Sequence, residues 1–544
     1  MLGLMQQWPL LCHKILDHAA IQHPDREIVS RSGEGPIVRT TYAGIHLRAR
    51  KMAQLFEREG FQPGDRIATL AWNTANHIEA WYGIMGMGGV YHTLNPRLFP
   101  DQIAWIMNHA QDRALFVDLA FMPLVERIAP TVPSLKKIIV LTDAAHLPQT
   151  TLPNVIAYED WLNDADGDFS WYDCEGDENT AAGMCYTSGT TGEPKGVLYS
   201  HRSNVLHAMM ACMPDAMGIS SRDTILPVVP MFHANAWGLG QSGPMIGAKL
   251  VMPGGKMDGN SIYELLDAEQ VTFSAAVPTV WLMLLQHLEE TGKTLPHLKK
   301  VVIGGSACPR VMVQKFQDNY DVEVIHAWGM TEMSPLGSLC TLKAEYQNLT
   351  GDAKLDIQQS QGHAPFGVEM KITDDNDEPR AWDGKTFGRL KVRGPAVARS
   401  YYGGAGADAF DEDGWFDTGD VAHINRQGYM QITDRAKDVI KSGGEWISTI
   451  DLENLAVAHP DVAEAAVIGI AHPRWDERPL LVVVAKPGKE PTREDLLAFM
   501  EGKIVKWWLP DDVTFVDEIP HTATGKIQKI TLRERFKDYR LPTV

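Results

Sequence analysis

The sequence predicts an α/β fold: a large, mostly parallel sheet system, a smaller β-rich region behind it, and a compact terminal domain. Three observations carry this. Short apolar runs of strand length alternate with helix-period segments through the first two thirds of the chain. Near residue 360 the texture changes to short strands broken by Gly and Asp turns. Alternation then resumes over the last stretch of about 100 residues, enough for a domain of its own.

Taken in order, "DRIATLAW" (65–72) reads as a buried strand and "NHIEAWYGIMGMGG" (76–89) as the helix that follows it. "RALFVDL", "KKIIVLT", "KLVMPG" and "LKKVVIGG" repeat the strand signal, and "VPTVWLMLLQHLEETG" is helical. Apolar strands separated by helices need cover on both faces, which a parallel sheet between helix layers provides. "FGVEMKITDD", "GRLKVRGPAV" and "GYMQITDRAKDVIKSGG" form the β-rich region. "DLENLAVAHP", "VAEAAVIGI", "RPLLVVVAKP" and "TREDLLAFMEGKI" read as helix, strand, strand, helix.

The chain has 544 residues, 44% hydrophobic and 22% charged, so more than one domain is expected. The net charge of -19 argues against general affinity for nucleic acid, though not against a small anion in a local nest of donors. The 6 Cys form no C-x-x-C pair, which argues against zinc and for buried thiols in a reducing compartment. The first positive residue, Lys14, follows the apolar part of the N-terminus, the wrong order for a secretion signal. No uncharged apolar run reaches about 18 residues. A cytoplasmic enzyme is the expectation.

The stretch "YTSGTTGEPKG" (186–196) cannot be a stable helix or regular strand, because Gly is too free and Pro lacks a donor. The apolar "AAGMCY" precedes it and the strand-like "GVLYS" follows, with Ser200 placed to cap the next helix. It lacks the G-x-x-x-x-G-K-[ST] spacing of a P-loop. A strand-loop-strand element bearing hydroxyls, bare amides and a Lys suits a polyphosphate; taken alone it is also a common surface turn. "HAWGMTE" (326–332) offers a flat Trp328 for an adenine and Glu332, an oxygen donor of the kind Mg²⁺ prefers. Asp420, closing "WFDTGD", is placed to accept two ribose hydroxyls. Arg435 lies near a domain boundary, with Ser442 and Gly443 beyond it, and Lys526 follows a Gly in a tail loop. Singly, these are a buried Trp, a turn Asp and a solvated Lys.

Together and in this order, the motifs closely resemble the adenylate-forming superfamily of acyl-CoA synthetases, peptide-synthetase adenylation domains and firefly luciferase. The resemblance covers essentially the whole chain and leaves no catalytic position empty. It implies a large N-terminal domain, 1–436, of αβα-layered sheets with a small β-barrel-like region, and a small mobile α+β domain, 437–544, turning at a hinge near Lys437. It further implies that Thr187, Ser188, Gly189, Thr190, Thr191 and Lys195 line the triphosphate, and that Thr187 and Glu332 flank Mg²⁺. Thr331 would touch the α-phosphate. Gly304, Gly305, Ser306, His326, Ala327, Trp328 and Gly329 would frame the adenine, and Asp420 and Arg435 would hold the ribose. Lys526 would bridge the acyl carboxylate and the nucleotide, with Glu332 and Thr187 as its catalytic partners. Lys441, Ser442, Gly443, Gly444 and Trp446 would face coenzyme A.

The reaction so implied is ATP-dependent: a carboxylate attacks the α-phosphorus, pyrophosphate leaves, and the thiol of coenzyme A then displaces AMP. For the acid, "PMFHANAWG" (230–238) places His233 and Trp237 four apart, on one face of a helix if the segment is helical. Fatty-acyl members of the family carry a similar run at the acyl pocket, to which Gly304 and Met330 would also belong. "NPRLFPDQIAWIMNHA" and "VLYSHRSNVLHAMM" are most similar to members acting on short apolar acids. The likeness implies 3-(methylthio)propionate, an intermediate of dimethylsulfoniopropionate demethylation, with medium-chain fatty acids as the alternative. A homodimer formed through the large domain is also implied. A reading of another class, a non-catalytic nucleotide-binding regulator, is opposed by Lys526 and Glu332.

Overall fold

The computed structural model describes the chain apart from Leu2, 188–192, Lys437, Gly444, 522–526 and the side chains of Glu445 and Trp446. Two large sheets form the body. In the first, the strands run Val155–Ala157, Lys137–Val140, Ala114–Val117, Arg66–Leu70, Val90–Thr93, Ala181–Tyr186 and Gly196–Ser200. All neighbours are parallel until the last pair, which is antiparallel. In the second, eight strands run Leu336–Leu339, Glu323–Gly329, Lys300–Ile303, Phe273–Ala276, Thr224–Pro227, Lys249–Met252, Glu27–Arg31 and Ile37–Thr41. That sheet is parallel inside and antiparallel at both edges.

Burial on both faces explains the unbroken apolar runs of the sequence. Ile67, Phe116 and Ile139 of the first sheet and Ile28, Ile225 and Val302 of the second share one core between the sheets. The alternate residues Leu70, Leu115 and Val140 pack outward on one side, and Val29, Leu226 and Val301 on the other. Local chemistry sets the helix starts. Thr41 and Thr74 accept from the amides of Gly44 and His77, and Ser200 from that of Ser203, opening Tyr42–Arg58, Ala75–Gly86 and His201–Cys212.

The barrel-like region takes the form of a four-stranded antiparallel sheet, Glu369–Thr373, Gly388–Arg393, Phe416–Ile424 and Met430–Arg435. The next strand, Ile440–Ser442, already belongs to the terminal sheet with Glu445–Ile447, Asp476–Ala485 and Val462–His472; Asp512–Phe515 pairs with Asp476–Ala485 as its fifth strand. In the terminal sheet Val467, Leu481 and Val483 face helices Thr449–Val457 and Arg493–Met500. Ile468, Leu480 and Val482 face Leu532 of helix Lys529–Arg535. Among the described residues, no helix is long and apolar enough to cross a membrane.

Several histidines are buried within this body. His77 bonds Thr69 and the Trp72 carbonyl, His326 donates to the Gln359 carbonyl, and Nε2 of His207 accepts from the Leu336 amide. Burial pulls all three down to about 4. They stay neutral while the unfolded chain protonates near pH 6.5, so their contribution is complete above pH 6.5 and is lost as pH falls toward 4. Each should cost about 2 kcal/mol of stability by pH 5 relative to neutral pH. The urea midpoint followed by Trp fluorescence should therefore fall steeply from pH 7 to pH 5. A flat midpoint over that range would contradict these shifts.

Candidate active site

The glycine-rich run is closed at its neck by the antiparallel strands Ala181–Tyr186 and Gly196–Ser200. The Thr187 amide donates to the Lys195 carbonyl at 3.0 Å, and the Lys195 amide donates to Thr187 Oγ1 at 3.1 Å. Lys195 does not open a helix, as the sequence suggested. Its ammonium lies 4.9 Å from the centre of the Tyr401 ring. Tyr401 in turn donates from its hydroxyl to Glu332 Oε1 at 2.6 Å. The buried Glu332 sits in a short turn, Thr331–Met333, whose Thr331 carbonyl accepts from Tyr199 at 2.7 Å. Thr187, Lys195, Thr331 and Glu332 are thus brought to one place by two tyrosines. Ser188, Gly189, Thr190 and Thr191 lie outside the described residues.

Strand Glu323–Gly329 carries His326, Ala327, Trp328 and Gly329. Trp328 is buried, donates its indole N–H to Asp420 Oδ2 at 3.0 Å, and leaves no room for a Cβ at Gly337. Its visible work is to hold Asp420. The other carboxylate oxygen, Oδ1, faces Arg435 Nε at 3.0 Å, and the two residues are cross-strand partners. Gly304 is buried while Gly305 and Ser306 are exposed, just beyond strand Lys300–Ile303.

The segment expected to place His233 and Trp237 on one helical face does not do so. Ala234, Asn235, Ala236 and Trp237 have φ of 38°, 46°, 52° and 54°, and Gly238 follows at 78°. The chain makes a left-handed turn, which costs L-residues about 1–2 kcal/mol each. His233, before the turn, lines a small cavity with Thr93, Leu94, Tyr186 and Phe232. Trp237 points elsewhere: its ring edge would lie 3.2 Å from a Cβ at Gly304 and 3.9 Å from one at Gly305. Met330, half-buried, donates its amide to the Pro335 carbonyl.

In the terminal sheet, buried Ser442 accepts from Arg478, and the Gly443 amide donates to the Trp475 carbonyl. Gly443 has φ 59°, with the Trp475 and Trp507 rings close to where a Cβ would stand. The Lys441 amide donates to Glu477. Lys437, Gly444, Lys526 and the Trp446 side chain fall outside the described residues.

Two family models match, one described as AMP-binding enzyme over residues 16–402 and one as AMP-binding enzyme C-terminal domain over 451–526. The chain belongs to the AMP-binding enzyme family. It is 48% identical over 538 residues to a 3-methylmercaptopropionyl-CoA ligase of Ruegeria pomeroyi, covering 99% of each chain. It is 46% identical over 541 residues to a medium-chain-fatty-acid–CoA ligase of Ectopseudomonas oleovorans, covering 99% of this chain and 98% of that one. Its fold matches a crystal structure of an anthranilate CoA ligase in complex with anthranoyl-AMP, with TM-score 0.85, 22% identity and 98% and 99% of the two chains covered. As a member of this family the chain is an ATP-dependent, AMP-forming acid–CoA ligase.

What this AMP-binding enzyme adds to its motifs are groups no motif announced. Tyr401 belongs to "RSYYGG", which carries no chemical signature in one sequence. His207 sits mid-helix and fills the space where Gly238 would carry a Cβ, at 2.7 Å. Asn235 lies inside "HANAW", where its partners Tyr91 and Thr93 leave no mark in the local sequence.

Tyr401→Phe keeps the ring under Lys195 and removes the hydrogen bond to Glu332. Bonds to charged groups are worth about 1.5–3 kcal/mol, so the KM for ATP should rise about tenfold or more. The KM for the acid should change little. An unchanged ATP KM would show that the hydroxyl does not set the carboxylate.

Proposed function

We propose that this ligase activates 3-(methylthio)propionate. The observation that carries the reading is full-length identity of 48% to two ligases named for that acyl group, one from Ruegeria pomeroyi and one from Ruegeria lacuscaerulensis. A medium-chain fatty acid is the second reading, favoured by the 46% identity to the Ectopseudomonas oleovorans ligase. Both acids are short and apolar, and a buried Trp237 against the bare backbone of Gly304 makes a wall suited to either.

In the first step an acid oxygen bonds to the α-phosphorus of ATP while the bond to pyrophosphate breaks. We assign the phosphates to the residues closing the neck, Thr187 and Lys195, together with Ser188, Gly189, Thr190 and Thr191. Thr331 stands beside Glu332 for the α-phosphate, and Asp420 with Arg435 suits the ribose. Gly304, Gly305, Ser306 and His326 to Gly329 suit the adenine. The donor set of Thr187 hydroxyl and Glu332 carboxylate is all oxygen, which fits Mg²⁺; bound there, the ion would neutralise phosphate charge. Lys526 supplies positive charge where the acid meets the nucleotide.

In the second step the thiol sulfur of coenzyme A bonds to the acyl carbon and AMP leaves. We assign Lys441, Ser442, Gly443, Gly444 and Trp446 to the coenzyme A face, reached when 437–544 turns about Lys437 relative to 1–436. Sheet membership supports a boundary there: it changes between Arg435 and Ile440. A homodimer in the cytoplasm completes the proposal.

Scored by thioester formation with ATP and coenzyme A, 3-(methylthio)propionate should give a higher kcat/KM than hexanoate or octanoate. If it ranks far below them, the medium-chain reading replaces it. Lys526→Ala should lower the rate of adenylate formation, read as ATP–pyrophosphate exchange, by about 10²–10³. Undiminished exchange would remove Lys526 from the first step.

A further inference from the structure

The left-handed turn at 234–238 needs something to hold it. Ala and Trp gain nothing from positive φ, and Gly238 supplies freedom only at its end. Asn is the one member of the run before Gly238 that enters this region readily. Its side chain makes two hydrogen bonds out of the turn. Asn235 Oδ1 accepts from Thr93 Oγ1 at 3.2 Å, and Nδ2 donates to the Tyr91 hydroxyl at 2.9 Å. Asn235, Thr93 and Tyr91 are all buried.

The anchor on the other side is rigid. Tyr91 stacks on Trp81 with centroids 4.8 Å apart, and its ring occupies the space a Cβ at Gly183 would need, 2.4 Å from Cζ. Gln241 also donates to the Tyr91 hydroxyl, at 3.4 Å. Tyr91 and Thr93 lie on Val90–Thr93, paired to Gly183 and Cys185 of the strand that runs into Thr187. The turn is therefore tied to the strand that lies directly beside the pair carrying the phosphate loop. Two residues after Asn235, Trp237 lies across Gly304 and Gly305.

We propose that Asn235 is a positioning residue for acid selectivity: by clamping the turn to Tyr91 and Thr93 it fixes how far Trp237 stands from the phosphate loop. This rests on Trp237 walling the acyl pocket. An acid must reach the α-phosphate with one end while its tail meets that wall, so the clamp sets a length. Released, the turn can relax toward ordinary backbone angles, the wall retreats, and longer acids gain relative to shorter ones.

The test compares Asn235→Ala, Asn235→Gly and Asn235→Asp with the unaltered enzyme on butyrate, 3-(methylthio)propionate, hexanoate and octanoate. The octanoate-to-butyrate ratio of kcat/KM should rise about tenfold in the Ala and Gly variants, through the acid KM, while the ATP KM stays within about twofold. Asn235→Asp, which tolerates the turn and can still accept from Thr93, should fall between. A wild-type ratio in Asn235→Gly, or an equal loss for every acid, would overturn the clamp. If Asn235→Ala does not fold, Tyr91→Phe removes the partner from outside the turn and should shift the ratio the same way; an unshifted ratio would again overturn it. If no acid yields a thioester even with the unaltered enzyme, the ligase reading fails separately. The clamp is then judged by thermal shift with acyl-sulfamoyl-adenosine analogues carrying four and eight carbons: a longer-chain preference in the variants supports it, and an unchanged preference overturns it.

Discussion

The pair of hydrogen bonds between Thr187 and Lys195 is the constraint on which the site depends. A run of Gly and hydroxyl residues has no preferred shape of its own and loses much entropy when ordered. Closing its neck with an antiparallel strand pair brings the ends of the run together. The same closure aims Lys195 at Tyr401, and Tyr401 at Glu332. A cation, an aromatic face and a carboxylate meet here, with Tyr401 standing between Lys195 and Glu332. An ammonium spent on a buried carboxylate would be poorly available to a phosphate; resting on a ring, it is lightly held.

Three glycines show how tightly the neighbouring walls approach. A side chain at Gly304 would meet the Ala327 carbonyl at 2.7 Å, one at Gly337 the Trp328 ring at 2.5 Å, and one at Gly238 the His207 ring at 2.7 Å. Each close approach joins two elements: the end of one parallel strand to its neighbour, an edge strand to Trp328, a left-handed turn to a helix. Gly304 and Gly305 follow directly on the parallel strand Lys300–Ile303, whose end fixes where they start.

The sheets were legible because two-faced burial writes long apolar runs into the chain, as in Arg66–Leu70 and Lys300–Ile303. The strand-loop-strand neck and the Ser200 cap were legible because Gly, Pro and Ser act locally. The terminal domain's helix, strand, strand, helix order was legible for the same reason. The turn at Trp237 was not. A spacing of four suggests a helix only if φ is negative, and the partners that hold φ positive, Tyr91 and Thr93, lie more than a hundred residues away. Tyr401 escaped for a similar reason, since its meaning comes from Glu332, 69 positions earlier. Trp328 was read by its ring, whereas its indole N–H makes the contact that fixes Asp420.

The junction between the four-stranded sheet and the terminal domain sets polar contacts beside the apolar packing of Ile450 on the larger core. Ser448 donates to the Thr433 carbonyl, and Thr449 donates to Asp434 Oδ2 at 2.6 Å. Lys529 comes to 3.9 Å from Asp434 across the junction and, within the terminal domain, to 2.8 Å from Glu453. Burial opposes charge on all three, pushing Glu453 up to about 6 and Asp434 upward; for Lys529 the two carboxylates outweigh burial and its pKa is raised. Buried charges of this kind are costly to leave unpaired, and they confer little net stability while paired. Water can replace such contacts when the surfaces part, which an apolar seam would not allow without exposing its area. These polar contacts lie beside the chain's crossing from one sheet to the next, between Arg435 and Ile440.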